Sequence, residues 1–521
     1  MKIARGLTIA GVVAFVILIA RLARLENGGP AHTDLTLPGD IPATMYLPGP
    51  GYPFYTQFPA PQEKRPPAVV LLHGFSGDRV IMSTLARRIA ENGYAVLAID
   101  FRGHGANRNP FDGGADTALR ADVKAAADYL RENRLVNGSQ IAVIGHSMGS
   151  GAALDFATHD PDLKGAVMIS GGWTLGPVRP KNALFIFAEN DPADAIRETS
   201  KALAAHLAGV EHVELGKQYG DFAGGTAVEA VQVAGANHVD ILRSADAATT
   251  IVKWLDGAFG RPRTGAIETS DPRLNVARLA NLIFLILLIP LGRWTGSMAA
   301  EWPAERTGPG GWIGLAILGV ALIVSMPFVA TIAPTEFVPV LVADRQISWF
   351  AVASLFTVGT LVYLKAGEWE RVRARAGATI FAALFAFAVI YACQIATSAQ
   401  LHRNALTPER LMVLAMAAAL TLPFWMSFEL LVRRGSTARS TVVATIGRAL
   451  ILALTAAGAL LNVLPFVLLL VLPILAITFI AMEIFAASAY SASRNVAMIA
   501  VAETVWFAWL LASINPIAFR F

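Results

Sequence analysis

The second half of this chain is a succession of long apolar runs, and few folds can hold so many. They extend over Leu279–Gly292, Gly311–Ala333, Ile347–Leu364, Gly377–Ala399, Leu411–Val432, Val442–Leu461, Pro465–Ala487 and Val496–Ile514. Most approach the ~20 residues that a helix needs to cross a bilayer. Brief charged loops separate them, which does not suit the core of a soluble domain. Apolar residues make up 55% of the 521, and the excess is concentrated after residue 275. Residues 276–521 therefore read as a polytopic all-α membrane domain of about eight helices, the first run being the shortest.

The charges between the runs set an expected topology. Lys365, Arg371, Arg373 and Arg375 share one loop, and Arg433, Arg434 and Arg439 share another. The loop around 400–410 has only Arg403 and Arg410, and the Asn462–Leu464 turn has no charge. Arginine-rich loops stay cytoplasmic, and counting spans backward from them places the N-terminal half outside the cytoplasm. The N-terminus agrees: Lys2 and Arg5 precede the uncharged Gly6–Ala20, and Arg21 and Arg24 follow. An A-x-A-like exit is missing there, so residues 1–24 read as an uncleaved signal anchor in preference to a cleaved leader. The chain is expected to be an integral protein of a bacterial-type plasma membrane. Its net charge of +4 is accounted for by these flanking arginines and does not suggest a nucleic-acid surface. Cys393, the single cysteine, cannot form an intramolecular disulfide. Glu483 and Glu503 lie inside apolar runs, where an acid is a functional hint. They are expected to sit near helix ends and reach interfacial water, since no matching basic residue suggests a transport path.

Between the anchor and the membrane domain the pattern changes. Residues 25–65 are rich in Pro and Gly and read as a linker and opening hairpin, with Thr36-Leu37 and Met45-Tyr46-Leu47 as edge strands. Residues 66–260 contain short apolar runs of buried-strand type at Ala68–Leu72, Tyr94–Ile99, Ile141–Ile144, Gly165–Ile169, Ala183–Ala188 and Ala227–Val233. Ala118–Glu132 has helical spacing, with Leu119, Val123, Ala126, Ala127 and Leu130 on one face. The polar segment 261–275 closes the region. The Ile141–Ile144 strand runs into Gly145-His146-Ser147-Met148-Gly149, and a helix-forming stretch follows. A G-x-S-x-G turn between strand and helix is the setting of a nucleophile elbow, in which the glycines admit a strained, exposed serine.

Roughly from Pro66 to Gly260 the chain resembles the α/β-hydrolase superfamily. The resemblance implies an α/β fold with a mostly parallel sheet. Only Gly171–Lys181 separates two of the strands, which leaves no room for a large cap. It implies that the turn His73-Gly74-Phe75 supplies one backbone N–H of an oxyanion hole at Phe75, and that Met148 supplies the second. His73 itself is expected to brace that turn, and Asp100–Gly105 to form a hydrogen-bonded pocket wall. The acid that orients the histidine belongs after the Ala183–Ala188 strand. Asp191 is the first choice there, with Asp194 and Glu189 as alternatives. Of the nine histidines, His238 alone stands directly after the last strand of this region, in the order Ser, Asp, His. Trp173 is a candidate pocket residue. The stretch between Asp191 and His238 is longer than a helix and a connection need; Val210–Thr226 is expected to form a hairpin or flap near the histidine loop.

These residues suit nucleophilic catalysis: a serine made reactive by a histidine, itself oriented by a carboxylate. The pattern calls for no metal and no organic cofactor. The expected function is hydrolysis of a carboxylic ester, a small molecule or a lipid-like or acylated envelope substrate, beside the lipid bilayer. Acyl transfer or peptide cleavage would use the same triad. A rival from another class is a transporter or receptor-like protein whose hydrolase domain only binds ligand.

Overall fold

The computed structural model describes residues 2–49, 61–111, 116–172, 179–191, 194–299, 301–302, 308–334, 337–364, 376–397 and 405–518. Strands β1 (His32–Leu37), β2 (Ile41–Tyr46), β3 (Ala68–Leu72), β4 (Ala95–Ile99), β5 (Ile141–His146), β6 (Gly165–Ile169), β7 (Ala183–Asn190) and β8 (Val228–Asn237) form one sheet of order β1-β2-β4-β3-β5-β6-β7-β8. Strand β2 runs antiparallel to both neighbours, and all pairs from β4 to β8 are parallel. Every residue of β3, β4, β5 and β6 is buried, which is why these segments read as unbroken apolar runs. Helices α3 (Asp116–Glu132), α4 (Met148–Ala157) and α5 (Asp194–Ala208) pack with Val70 and Leu97 on one face. On the other, α2 (Ser83–Glu91) and α6 (Ala245–Ala258) pack with Val69 and Val96. This is the α/β-hydrolase fold, and the expected α3 face, Leu119 to Leu130, is the buried one.

The excursion before β8 corrects one expectation. It does fold back as a short antiparallel contact, Tyr219 against Val228. Phe222 packs edge-on against Trp254 at 4.7 Å, and its carbonyl accepts a hydrogen bond from the Asn182 side chain at 3.3 Å. Asn182 immediately precedes β7 and Val228 opens β8, whereas His238 follows the far end of β8. The excursion therefore borders the opposite end of the sheet from the histidine and is no wall of its loop. Phe222 on Trp254 is the apolar contact that anchors it at that end.

Nine helices among the described residues are long and apolar enough to cross a membrane. They are α1 (Lys2–Asn27), α7 (Pro272–Met298), α8 (Trp312–Thr331), α9 (Ala343–Tyr363), α10 (Ala376–Thr397), α11 (Pro408–Val432), α12 (Thr437–Leu460), α13 (Leu468–Ser493) and α14 (Val496–Ile514). The run that looked short, Leu279–Gly292, lies within a helix of 27 residues. Asp271 caps its start by accepting from the Arg273 N–H, Pro272 occupies the first turn, and polar flanks complete its length. The hydrolase sheet sits at one end of this bundle. Its Arg87 donates to Glu26 at the end of α1, and Glu26 also accepts from Arg273 of α7 at 2.7 Å. Across the same face, Arg410 of α11 and the segment after α14 bond the loop that follows β4. The loops with Lys365, Arg371, Arg373, Arg375 and Arg403 lie outside the described residues.

The two membrane carboxyls also correct the sequence reading. Glu483 and Glu503 do not reach the interface: Glu503 is 0% exposed and Glu483 7%. Both are held by arginines from other segments. Arg433 grips Glu483 with two bonds of 2.8 and 2.6 Å and Glu429 with a third of 2.8 Å. Arg448, in the middle of α12, bonds Glu483 at 2.6 Å and pairs with Glu503, while its guanidinium lies 4.9 Å from the centre of the Phe428 ring. Arg433 reads in the sequence as a loop charge, and Arg448 lies unremarked inside the apolar run Val442–Leu461. Glu483 and Glu503 lie 35 to 55 positions from the arginines that hold them, too far for any local pattern. In an apolar interior, opposite charges this close are held by mutual attraction and hydrogen bonding, and removing one partner strands the others. Arg448→Met is accordingly expected to lower stability by about 3–5 kcal/mol, with Arg448→Lys intermediate and the exposed Arg439→Met near neutral. Thermal unfolding in detergent measures all three.

Candidate active site

The site begins at the turn between β5 and α4. Ser147 has φ 52° and ψ −117°, a left-handed conformation unusual for a residue with a side chain. Its neighbours make room for it. A Cβ on Gly149 would stand 2.5 Å from the His73 carbonyl oxygen, and one on Gly145 would overlap the Gly149 carbonyl. The turn thus packs directly on the end of β3, and Ser147 is left partly exposed at the C-terminal edge of the sheet.

His238 comes to the serine from the loop after β8. The side-chain oxygen of Asn237 accepts the N–H groups of Val239 (3.1 Å) and Asp240 (2.9 Å), and this turn aims the histidine back over the sheet edge. Its Nε2 lies 3.0 Å from Ser147 Oγ, and its Nδ1 lies 2.5 Å from Asp191 Oδ1. Asp191 follows a register irregularity at the end of β7. Its second oxygen accepts from Ser170 Oγ at 2.7 Å, and its carbonyl accepts from Arg197 at 2.8 Å. Of the two alternatives for the acid, Asp194 is exposed and paired with Arg197, and Glu189 accepts the Gly235 N–H at 2.7 Å. Neither meets the imidazole. Burial pushes the Asp191 carboxyl up, but the hydrogen bond and charge of His238 and the hydroxyl of Ser170 outweigh it, leaving the group below its ordinary value.

Two residues that sequence reasoning passed over complete the arrangement. Ser170 has just been described. His146, buried beneath the serine, donates from Nε2 to the His238 carbonyl at 2.7 Å, and its ring lies 4.9 Å from that of His238, tilted by 50°. Burial, then the neighbouring His238, pushes His146 down to about 3, so its ring stays neutral. Its place as the variable residue of G-x-S-x-G was the only signal for it. On the other side of the serine, Gly74 approaches so closely that a Cβ there would be 2.9 Å from Ser147 Cβ. Phe75 comes next, and the Met148 N–H belongs to the first turn of α4, where no intrahelical carbonyl is available to it. His73 donates from Nδ1 to the Gly74 carbonyl at 2.8 Å and accepts the Phe101 N–H at Nε2 at 3.0 Å. It joins two turns and stands apart from the serine–histidine pair. Asp100 accepts the Arg79 and Ala106 N–H groups, so its loop is a hydrogen-bonded wall. Trp173 lies outside the described residues. Among the described residues, no group of three or more His, Cys, Asp or Glu side chains could hold a metal ion.

Comparison with known proteins gives a consistent neighbourhood. The family described as "Serine aminopeptidase, S33" matches residues 63–189. Cutinase est1 of Thermobifida alba is 34% identical over 110 residues, which is 20% of this chain and 34% of that protein. Cutinase 2 of Thermobifida cellulosilytica is 32% identical over 109 residues, 20% of this chain and 38% of that one. The chain thus spans about a third of the length of these curated relatives. Among solved structures, an esterase from Pyrobaculum calidifontis aligns with 48% of this chain and 92% of its own, at 20% identity and a TM-score of 0.32.

The neutral His146 gives the site an acid sensitivity. Its folded value lies far below its ordinary 6.5, so the unfolded chain takes up a proton that the folded ring refuses. The stability linked to His146 is complete above that ordinary value and is lost as the pH falls toward the folded one. His146→Gln, whose amide can donate to the same carbonyl, should flatten the decline of Tm between about pH 6.5 and 4. Thermal unfolding across that range checks it; an unchanged acid slope would show that the ring does not set it.

Proposed function

We propose that this chain is a membrane-embedded serine hydrolase that cleaves a carboxylic ester through an acyl-enzyme. The observation that carries the reading is the continuous line from Ser147 Oγ through His238 to Asp191, with separations of 3.0 and 2.5 Å, on a strained strand-to-helix turn. A serine hydroxyl alone is a weak nucleophile. His238 takes its proton as Oγ attacks the ester carbonyl, and returns that proton to the departing alcohol. Asp191 holds the imidazole with its Nδ1 proton toward the carboxylate and stabilises the imidazolium that forms. The N–H groups of Phe75 and Met148 receive the negative charge that develops on the carbonyl oxygen; losing one such donor typically costs about 10²–10³ in rate. Water, activated by the same histidine, then releases the acid.

The cutinase and esterase relatives support an ester as substrate, and the seat of the domain against the helix bundle supports a lipid-like or acylated one. The family described as a serine aminopeptidase favours a second reading, cleavage of a peptide by the same triad. Paired p-nitrophenyl ester and p-nitroanilide substrates separate the two. The positive-inside pattern left to Arg434 and Arg439, with Lys2 and Arg5 before α1, supports an extracytoplasmic hydrolase domain.

A fluorophosphonate probe should label the full-length protein in detergent and fail to label Ser147→Ala. Asp191→Asn should lower kcat by roughly 10⁴ with little change in KM. A wild-type protein that resists the probe would falsify the enzyme reading. A membrane-impermeant form of the probe is expected to label Ser147 in intact spheroplasts; labelling that required permeabilisation would reverse the orientation.

A further inference from the structure

The loop that follows β4, from Phe101 to Phe111, touches both the oxyanion side of the site and the membrane domain. We propose that Arg410, at the start of α11, is a positioning residue for that side, so that the membrane half completes the hydrolase site. The inference rests on the serine-hydrolase reading above.

Arg410 is 2% exposed, although it stands where α11 meets the hydrolase domain. Its Nε donates to the Gly105 carbonyl at 3.0 Å and its Nη2 to that of Gly103 at 2.8 Å. Its Nη1 turns the other way, to the carbonyls of Ala512 (2.5 Å), Asn515 (2.9 Å) and Ser513 (3.3 Å). The last carbonyls of a helix lack intrahelical donors and carry its partial negative charge, so a guanidinium there is well placed. One planar fork thus ties the end of α14 to two carbonyls of the loop. A lysine, with a single nitrogen, cannot span both sides.

The segment after α14 reinforces the tie. Phe111 donates to the Ile517 carbonyl at 2.8 Å, and the Ile517 N–H returns to Gly103 at 2.9 Å. Ile517 also bridges Val340, in the connection between α8 and α9. Within the loop, the rings of His104 and Phe111 lie 5.6 and 6.0 Å from Phe75, and the Phe101 N–H is held by His73. Phe75 is the residue whose backbone N–H the mechanism uses. Its ring leans on a loop that two segments of the membrane domain hold in place. A donor displaced by an ångström stabilises the transition state far less while scarcely altering ground-state binding.

The test uses the full chain in detergent or nanodiscs, with p-nitrophenyl butyrate and the fluorophosphonate probe. Arg410→Met is expected to lower kcat by about 10-fold or more and to slow probe labelling in parallel, with KM within about 2-fold of wild type. Arg410→Lys should recover only part of the loss. Ile517→Pro, which removes the N–H bonded to Gly103 without touching Arg410, should show the same split and decides the matter if Arg410→Met does not fold. Variants that unfold at lower temperature but keep wild-type kcat would reduce Arg410 to a structural clamp and overturn the proposal. A wild type inert to both ester and probe would instead overturn the serine-hydrolase reading, and this inference with it.

Discussion

A left-handed backbone at Ser147 is the constraint around which the hydrolase half is assembled. Such a conformation costs on the order of 1–3 kcal/mol and survives only where its surroundings over-determine it. Here β5 and α4 clamp it from both sides, and the carbonyls of β3 and of His73 leave no room for any residue but glycine at 149. The depth of the sheet matters for the same reason. Strands buried on both faces cannot shift register without exposing their apolar rows or orphaning their peptide groups, so the turn they carry is fixed with them.

How much of this was legible in the sequence followed how local the signal was. The strands from β3 to β8 announced themselves as apolar runs, and the elbow as a motif in its proper setting. Asp191 and His238 could be placed because each stands just past the end of a strand, where a side chain projects over the sheet edge. What escaped notice was set by contacts across the chain. Nothing near Ser170 marks it as a donor to Asp191, and nothing near His146 says that its ring will support the histidine loop. The excursion before β8 was assigned to the wrong end of the sheet because its length was visible and its anchor, Trp254, was not. Glu483 and Glu503 were read as interfacial because no basic residue was matched to them, when the cations came from segments that pack beside them.

The two halves of the chain use charge in opposite ways. In the hydrolase half, charge sits at the sheet edge, where His238 lies within hydrogen-bond reach of the partly exposed Ser147. In the membrane half, three carboxyls and two guanidiniums close on one another, joining α11, α12, α13 and α14 at a buried crossing. Between them Arg410 serves neither catalysis nor bilayer packing by itself. It joins a loop to a helix end, and through them one half to the other.

The buried crossing also bears on how such a bundle would enter a membrane. In a helix that crosses a bilayer, a central arginine costs about 2.5–3.5 kcal/mol on insertion scales, and Arg448, halfway along α12, is synthesised before Glu483 and Glu503. Until they arrive, Glu429 is the acid already made that it meets in the finished bundle. A bilayer-spanning helix with such an arginine would be secured only when the two segments behind it had been threaded.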